Sequence, residues 1–230
     1  MAMIKEMPAN EKPREKAMRF GIRSLSSREL LAIILRTGQK GYSVLEVADA
    51  LIEEAGGISG IARMSTAELS KIKGISNAKA LELQAAFELS RRAELEEAMH
   101  ADVISDPKSV ERWLRKELGS SLQEQFLAIY LDAQHRIMFY RVLFVGTINS
   151  SNVYPREVFR EALLYNCTCV MLVHNHPGGT LTASDADLTL TKRMMKAADI
   201  MGVKILDHLI ITNSGCLSLK ERGLLEEALV

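Results

Sequence analysis

A chain of 230 residues with 47% hydrophobic content has the length and apolar share of one large globular domain or two modest ones, which excludes a disordered segment. Its 29 basic residues balance 29 acidic ones, and each half is balanced too: residues 1–100 carry 15 and 14, residues 101–230 carry 14 and 15. Net charge therefore advertises no polyanionic partner, and any nucleic-acid contact has to rest on a local patch.

The early charges Lys5, Glu6, Glu11 and Lys12 leave no room for an apolar leader. Leu30–Leu35 is too short to cross a bilayer. The uncharged stretch Ala162–Ser184 is interrupted by Asn166, Asn175, Pro177 and two glycines, so it reads as a buried strand and loop. No membrane association is expected. Cys167, Cys169 and Cys216 form no even framework of the secreted kind, and a cytoplasmic location is the expectation.

From Ser26 to Met99 the apolar residues recur at helical spacing between glycines. Ser26-Ser27-Arg28-Glu29 is a capping box that opens a helix running to Leu35. Val44–Glu54 reads as a second helix, stopped by Gly56-Gly57, and Ser65-Thr66-Ala67-Glu68 opens a short third. After the turn Gly74-Ile75-Ser76, an amphipathic helix is predicted from Asn77 to about Met99. Asp106-Pro107 then starts a helix through Leu118, closed by Gly119. Strands are predicted at Phe126–Leu131, Ile137–Val145, Val170–Val173 and Leu209–Thr212, the first two joined by a hairpin at Asp132–Arg136. Helices are predicted at Pro155–Tyr165 and Asp185–Met201. The fold class is therefore α+β: an all-helical domain at 1–100 and a mixed α/β domain at 101–230.

The strand Val170–Val173 leads into His174-Asn175-His176-Pro177-Gly178-Gly179. Histidines two apart on extended chain project to one side, so both imidazoles can face one ion. Eight residues beyond Gly179, Asp187 falls in the first turn of the next helix. Two imidazoles and a carboxylate suit Zn2+ and leave a fourth tetrahedral position open for water, the pattern of a catalytic site. Taken alone, Ser184 and Asp187 are equally well explained as the N-cap and N3 residues of a helix start. Cys167 and Cys169 differ from the histidines by odd numbers, so a regular strand places them on the opposite face as small buried residues. Cys216 falls in an expected loop and has no assigned role. His100 and His135 read as solvated.

The whole pattern, His174-x-His176, seven residues, Ser184, two residues, Asp187, resembles the JAMM (MPN+) metalloprotease motif. The strings HNHPGG (His174–Gly179), YPREVFREAL (Tyr154–Leu163) and LDHLII (Leu206–Ile211) resemble the RadC family of bacterial JAMM-type proteins. The resemblance implies an MPN-like, cytidine-deaminase-like fold for 101–230 and a helix-hairpin-helix-type domain before it. It also implies a catalytic glutamate on an early strand, for which Glu124, directly before Phe126–Leu131, is the best match; the residue pattern alone does not separate it from Glu157 or Glu161. Such a carboxylate takes a proton from metal-activated water and returns it to the leaving amine. Ser184 corresponds to the serine that assists the oxyanion. His208 belongs to the RadC-like pattern, and a packed, hydrogen-bonded role is expected for it.

Lys71–Ala80 resembles the hairpin of a helix-hairpin-helix module, with Ser76 standing where a second glycine is usual. In that module, backbone N–H groups near Gly74 and Ser76 hold a DNA phosphate, with Lys73 and Lys79 adding charge. Two functions follow as expectations. One is a zinc hydrolase of peptide or isopeptide bonds acting on a protein or peptide substrate. The other is a DNA-binding, repair-associated protein whose zinc site is structural or vestigial. Zinc nucleoside deamination lacks its His-x-Glu and paired cysteines here, and an HNH nuclease spreads its residues differently.

Overall fold

The structure is a computed structural model that describes Pro8, residues 11–146 and residues 153–227; Lys5 and Glu6 lie outside these residues. The chain divides into two compact units, Met1–Ser90 and Arg91–Val230. The division falls inside a helix, not at its end.

The first unit contains α1 (Pro13–Phe20), α2 (Ser27–Leu35), α3 (Val44–Ala55), α4 (Ile58–Arg63), α5 (Thr66–Leu69) and the first part of α6 (Asn77–His100). Capping boxes open α2 at Ser26/Glu29, α3 at Ser43/Glu46 and α5 at Ser65/Glu68. In each, the serine hydroxyl takes the glutamate N–H and the glutamate carboxylate takes the serine N–H, so two otherwise unpaired donors are satisfied. The core gathers Leu31, Leu35, Val47, Leu51, Ile61, Leu69 and Leu83. Helices α1 and α4 have no counterpart among the sequence-predicted elements. The latter is only six residues long, with Gly60 inside it, too short for a periodicity to register. Nor is α6 a single amphipathic stripe. Its Ala80 and Leu83 belong to the first unit's core, whereas Leu95, Ala98 and Met99 belong to the second's.

The second unit adds α7 (Pro107–Leu118), β1 (Glu124–Leu131), β2 (Ile137–Gly146), α8 (Pro155–Leu164), β3 (Cys169–Asn175), α9 (Asp185–Met201), β4 (Lys204–Ile211), β5 (Cys216–Ser218) and α10 (Leu224–Glu227). The five strands form one sheet in the order β2-β1-β3-β4-β5. Only β3 and β4 are parallel, joined through α9; the other neighbours are antiparallel. One face is covered by Val110, Trp113, Leu114 and Leu118 of α7. The other is covered by Val158, Phe159 and Ala162 of α8 and by Leu190, Met194 and Ala198 of α9. Every residue of β3 is buried, as expected of a central strand flanked on both faces. A helical region followed by a mixed α/β sheet domain is thus the architecture, and no described helix is long and apolar enough to cross a membrane.

Several strand limits differ from the sequence expectation, among them those of β3, which runs from Cys169 to Asn175 and so includes His174. The β4 strand begins at Lys204, because Asp207 and His208 interrupt its apolar run yet are buried in the sheet. In β1, Glu124 is the first strand residue, paired with Gly146, and does not merely precede the strand. Cys216 lies on β5, paired with Ile211, and not in a loop. The parity argument holds for Cys169, which packs on the α7 face, but not for Cys167. Cys167 precedes β3, where alternation no longer applies, and packs on the α8–α9 face. His135 is half-buried at the hairpin, with a φ of 57°, whereas His100 is exposed as expected.

Gly74 sits at φ +95°, and a Cβ added there comes within 2.6 Å of Val47 Cγ2. Both conformation and space therefore require glycine. Gly74→Ala is expected to destabilise the first unit by about 1–3 kcal/mol, read as a lower urea midpoint. Gly41→Ala, at φ +79° with open space around it, should lower it less.

Candidate metal centre

Strand β3 brings His174 to its C-terminal end, where the ring lies 6.5 Å from the Phe126 ring in a stacked arrangement. One residue past the strand, His176 keeps the extended path, its N–H donating to the Ile211 carbonyl of β4 at 2.9 Å. Pro177, Gly178 and Gly179 then reverse the chain, closed by the Gly179 N–H on the His176 carbonyl at 2.9 Å. The reversal places the Thr180 carbonyl 2.8 Å from His176 Nδ1. A carbonyl only accepts, so Nδ1 is the donor, and a neutral His176 carries its lone pair on Nε2.

The third group comes from the start of α9. Ser184 caps the helix, and its N–H and hydroxyl both donate to Asp187 Oδ2 at 2.7 Å. The remaining oxygen, Oδ1, lies 3.1 Å from His174 Nε2, and Oδ2 lies 3.5 Å from His176 Nε2. The two Nε2 atoms are 3.0 Å apart. One carboxylate thus serves as helix cap and as partner of both imidazoles. His174, His176 and Asp187 form a group that could hold a metal ion, all three ligand atoms lying within 4.8 Å of one another.

The electrostatics agree with a cation site. Burial works to raise the Asp187 carboxyl, but His174, His176 and Ser184 outweigh it and hold it far below the ordinary carboxylate range. Conversely, the hydrogen bond to Asp187 raises His176 above the ordinary imidazole value. The Glu124 charge contributes to that rise. Glu124 lines a cavity of about 320 Å3 together with Leu122, Gln123, Gly146 and, directly after His176 in the chain, Pro177 and Gly178.

Sequence reasoning passed over two residues here. Asn175, between the histidines, reaches β1: its Oδ1 accepts the Gln125 N–H at 2.7 Å and its Nδ2 donates to the Gln123 carbonyl at 3.1 Å. The amide therefore grips the backbone on both sides of Glu124. Thr191, one helical turn after Asp187, donates its hydroxyl to the Asp187 carbonyl at 2.6 Å and lies 2.6 Å from His208 Nδ1. His208 is fully buried, and its Nε2 lies 2.9 Å from His174 Nδ1. The i, i+4 spacing of Asp187 and Thr191 was a legible signal; a hydrogen bond between strands was not.

The other singled-out residues lie apart from this group. Asp207 accepts from the His208 and Lys220 N–H groups and is held by Ser218. Burial pushes the Cys216 thiol up to about 12, which makes it a poor nucleophile. In the first unit, Lys73 lies 4.5 Å above the Tyr42 ring centre. Lys79 donates to the carbonyls of Thr37 at 2.6 Å and Gly74 at 2.9 Å, and the Ser76 hydroxyl accepts the Lys79 N–H at 3.3 Å. Burial lowers the Lys79 ammonium, consistent with a clip inside the unit.

Comparison with known proteins agrees with this geometry. Residues 104–224 match the family model of the RadC-like JAB domain, and residues 4–81 match that of the UPF0758 N-terminal region. A UPF0758 protein of Methylibium petroleiphilum is 41% identical over 222 residues, covering 96% of this chain and 100% of the relative. A UPF0758 protein of Leptothrix cholodnii is 42% identical with the same coverage, 96% and 100%. One from Desulfitobacterium hafniense is 40% identical, covering 96% of this chain and 98% of its own. The chain therefore belongs to the UPF0758 family, and its RadC-like JAB domain is the part that carries His174, His176 and Asp187.

Proposed function

We propose that this protein is a zinc-dependent hydrolase that cleaves peptide or isopeptide bonds. The observation that carries the proposal is the convergence of two imidazole nitrogens and one carboxylate oxygen beside Glu124. Tetrahedral zinc ligands at 2.0–2.1 Å stand about 3.3 Å from one another. The two imidazole nitrogens stand 3.0 Å apart and Asp187 Oδ1 stands 3.1 Å from His174 Nε2, both close to that value. Three protein ligands would leave one position for water, and Glu124 lines the 320 Å3 cavity bordered by Pro177, the residue after His176.

When bound, zinc acidifies a water and polarises a carbonyl. The work of the chain itself is then to place groups. His174, His176 and Asp187 hold the ion, with Phe126 forming an apolar wall behind His174. Glu124, on a stretch of β1 gripped on both sides by Asn175, takes the water proton and passes it to the leaving amine. Ser184 assists the oxyanion once its hydroxyl, now directed at Asp187, rotates towards substrate. The substrate backbone enters along the cavity bordered by Gly146, Pro177 and Gly178.

Purified protein is expected to hold one zinc ion, and His174→Ala/His176→Ala none, by metal analysis; equal zinc in both would refute the site. Zinc must displace the proton that Asp187 favours on His176. Apparent affinity should therefore fall as pH drops through a value above the ordinary ~6.5, by about tenfold per unit below it. Chelator competition between pH 8 and pH 6 measures this. Glu124→Gln should keep its zinc while losing about 10²–10⁴-fold in cleavage of a peptide or isopeptide library. Undiminished cleavage by that variant removes Glu124 from the mechanism. The same variant, used as a trap in a pull-down, is the route to the substrate.

A further inference from the structure

A ligating imidazole must offer a lone pair on the nitrogen that faces the ion, so its single proton has to sit on the other nitrogen. For His176 the Thr180 carbonyl enforces this directly. His174 has no carbonyl or carboxylate at Nδ1; its neighbour there is another histidine, His208, at 2.9 Å. A histidine can accept or donate, so by itself this contact decides nothing.

The decision is made one step further back. Thr191 has one hydroxyl hydrogen, and its 2.6 Å contact with the Asp187 carbonyl uses it, because a carbonyl cannot donate. The Thr191 oxygen, 2.6 Å from His208 Nδ1, must then accept, so Nδ1 of His208 bears the proton. His208 is 0% exposed and touches no carboxylate through its ring, so it is neutral and its Nε2 has only a lone pair. That lone pair requires His174 to donate from Nδ1, so a His174 that carries one proton presents a hydrogen-free Nε2 where Asp187 Oδ1 and His176 Nε2 converge.

We infer that Thr191 and His208 are positioning residues that fix the proton of His174 on Nδ1 and so turn its Nε2 lone pair towards the ion. The inference rests on the metal-site reading above. The chain begins and ends on the same ligand segment: Asp187 supplies a carboxylate oxygen to the site and its backbone carbonyl to Thr191. Helix α9 therefore contributes one ligand through a side chain and orients a second through its backbone. Imidazole in water favours the proton on Nε2, so the assignment of both rings to the Nδ1–H form is a distinctive signature.

Thr191→Val keeps the shape of the side chain and removes its hydroxyl, whereas Thr191→Ser keeps the hydroxyl. Long-range 1H–15N correlation spectra of the zinc-free protein at pH 8 report which ring nitrogen is protonated, and chelator competition reports zinc affinity. Wild type and Thr191→Ser are expected to show Nδ1–H on both His174 and His208 and to bind zinc within about threefold of each other. In Thr191→Val the His174 proton should move to Nε2, with zinc binding weakened about 10–100-fold and the amide spectrum otherwise preserved. A wild-type His174 with no proton on Nδ1 would overturn the inference, and so would a Thr191→Val protein that binds zinc as tightly as wild type. Rings protonated as assigned in a wild-type protein that takes up no zinc would instead overturn the zinc reading, with the proton placement upheld.

Discussion

The Asp187 carboxylate serves a helix end and a pair of imidazoles at once, and the arrangement of the sheet domain around the site follows from that double use. Oδ2 takes the Ser184 N–H and hydroxyl, which fixes where α9 begins. Oδ1 faces His174, which fixes how close that beginning must lie to the end of β3. The positive end of the helix favours the ionised carboxylate, so the cap and a cation both select the same protonation state. Since α9 is also the crossover between the parallel strands β3 and β4, its starting point determines how β4 arrives beside His174. The site then sits at the C-terminal ends of a parallel pair, where loops and a helix N-terminus gather, as in other α/β sheets.

Much of this was legible from residue pattern. Serine–glutamate boxes announced α2 and α5, and α9 has the predicted limits, because local hydrogen bonds between residues three apart determine those ends. The His-x-His pair was legible from the two-residue period of extended chain. Glu124 was not, since its proximity to His176 depends on the antiparallel register of β1 with β3. Only the family resemblance singled it out from other glutamates. Asn175 and the link from Thr191 to His208 escaped for a similar reason: the first joins residues that meet only once β1 pairs with β3, the second only once α9 packs on β4. The late start assigned to β4 has a related cause. Asp207 and His208 read as polar punctuation, whereas both are buried and hydrogen-bonded inside the sheet.

The two alternatives weighed for Ser184 and Asp187, helix start or metal ligand, prove not to compete. Asp187 caps the helix and also belongs to the group that could hold a metal ion, because a carboxylate has more acceptor capacity than a cap uses. Lys79 gives the reverse lesson. Its charge suggested a phosphate contact, yet its ammonium joins two backbone carbonyls within the first unit.

The His176 ring takes its orientation from a main-chain oxygen, that of Thr180, delivered by the reversal at Pro177-Gly178-Gly179. Replacing the side chain of residue 180 leaves that oxygen in position, so a scan that trims side chains would pass over the contact in silence. The constraint is carried instead by the residues that shape the backbone path, above all Gly179, held at φ +80°. In this segment the information that aims a ligand is written in torsion angles, not in the chemistry of the residue that makes the contact.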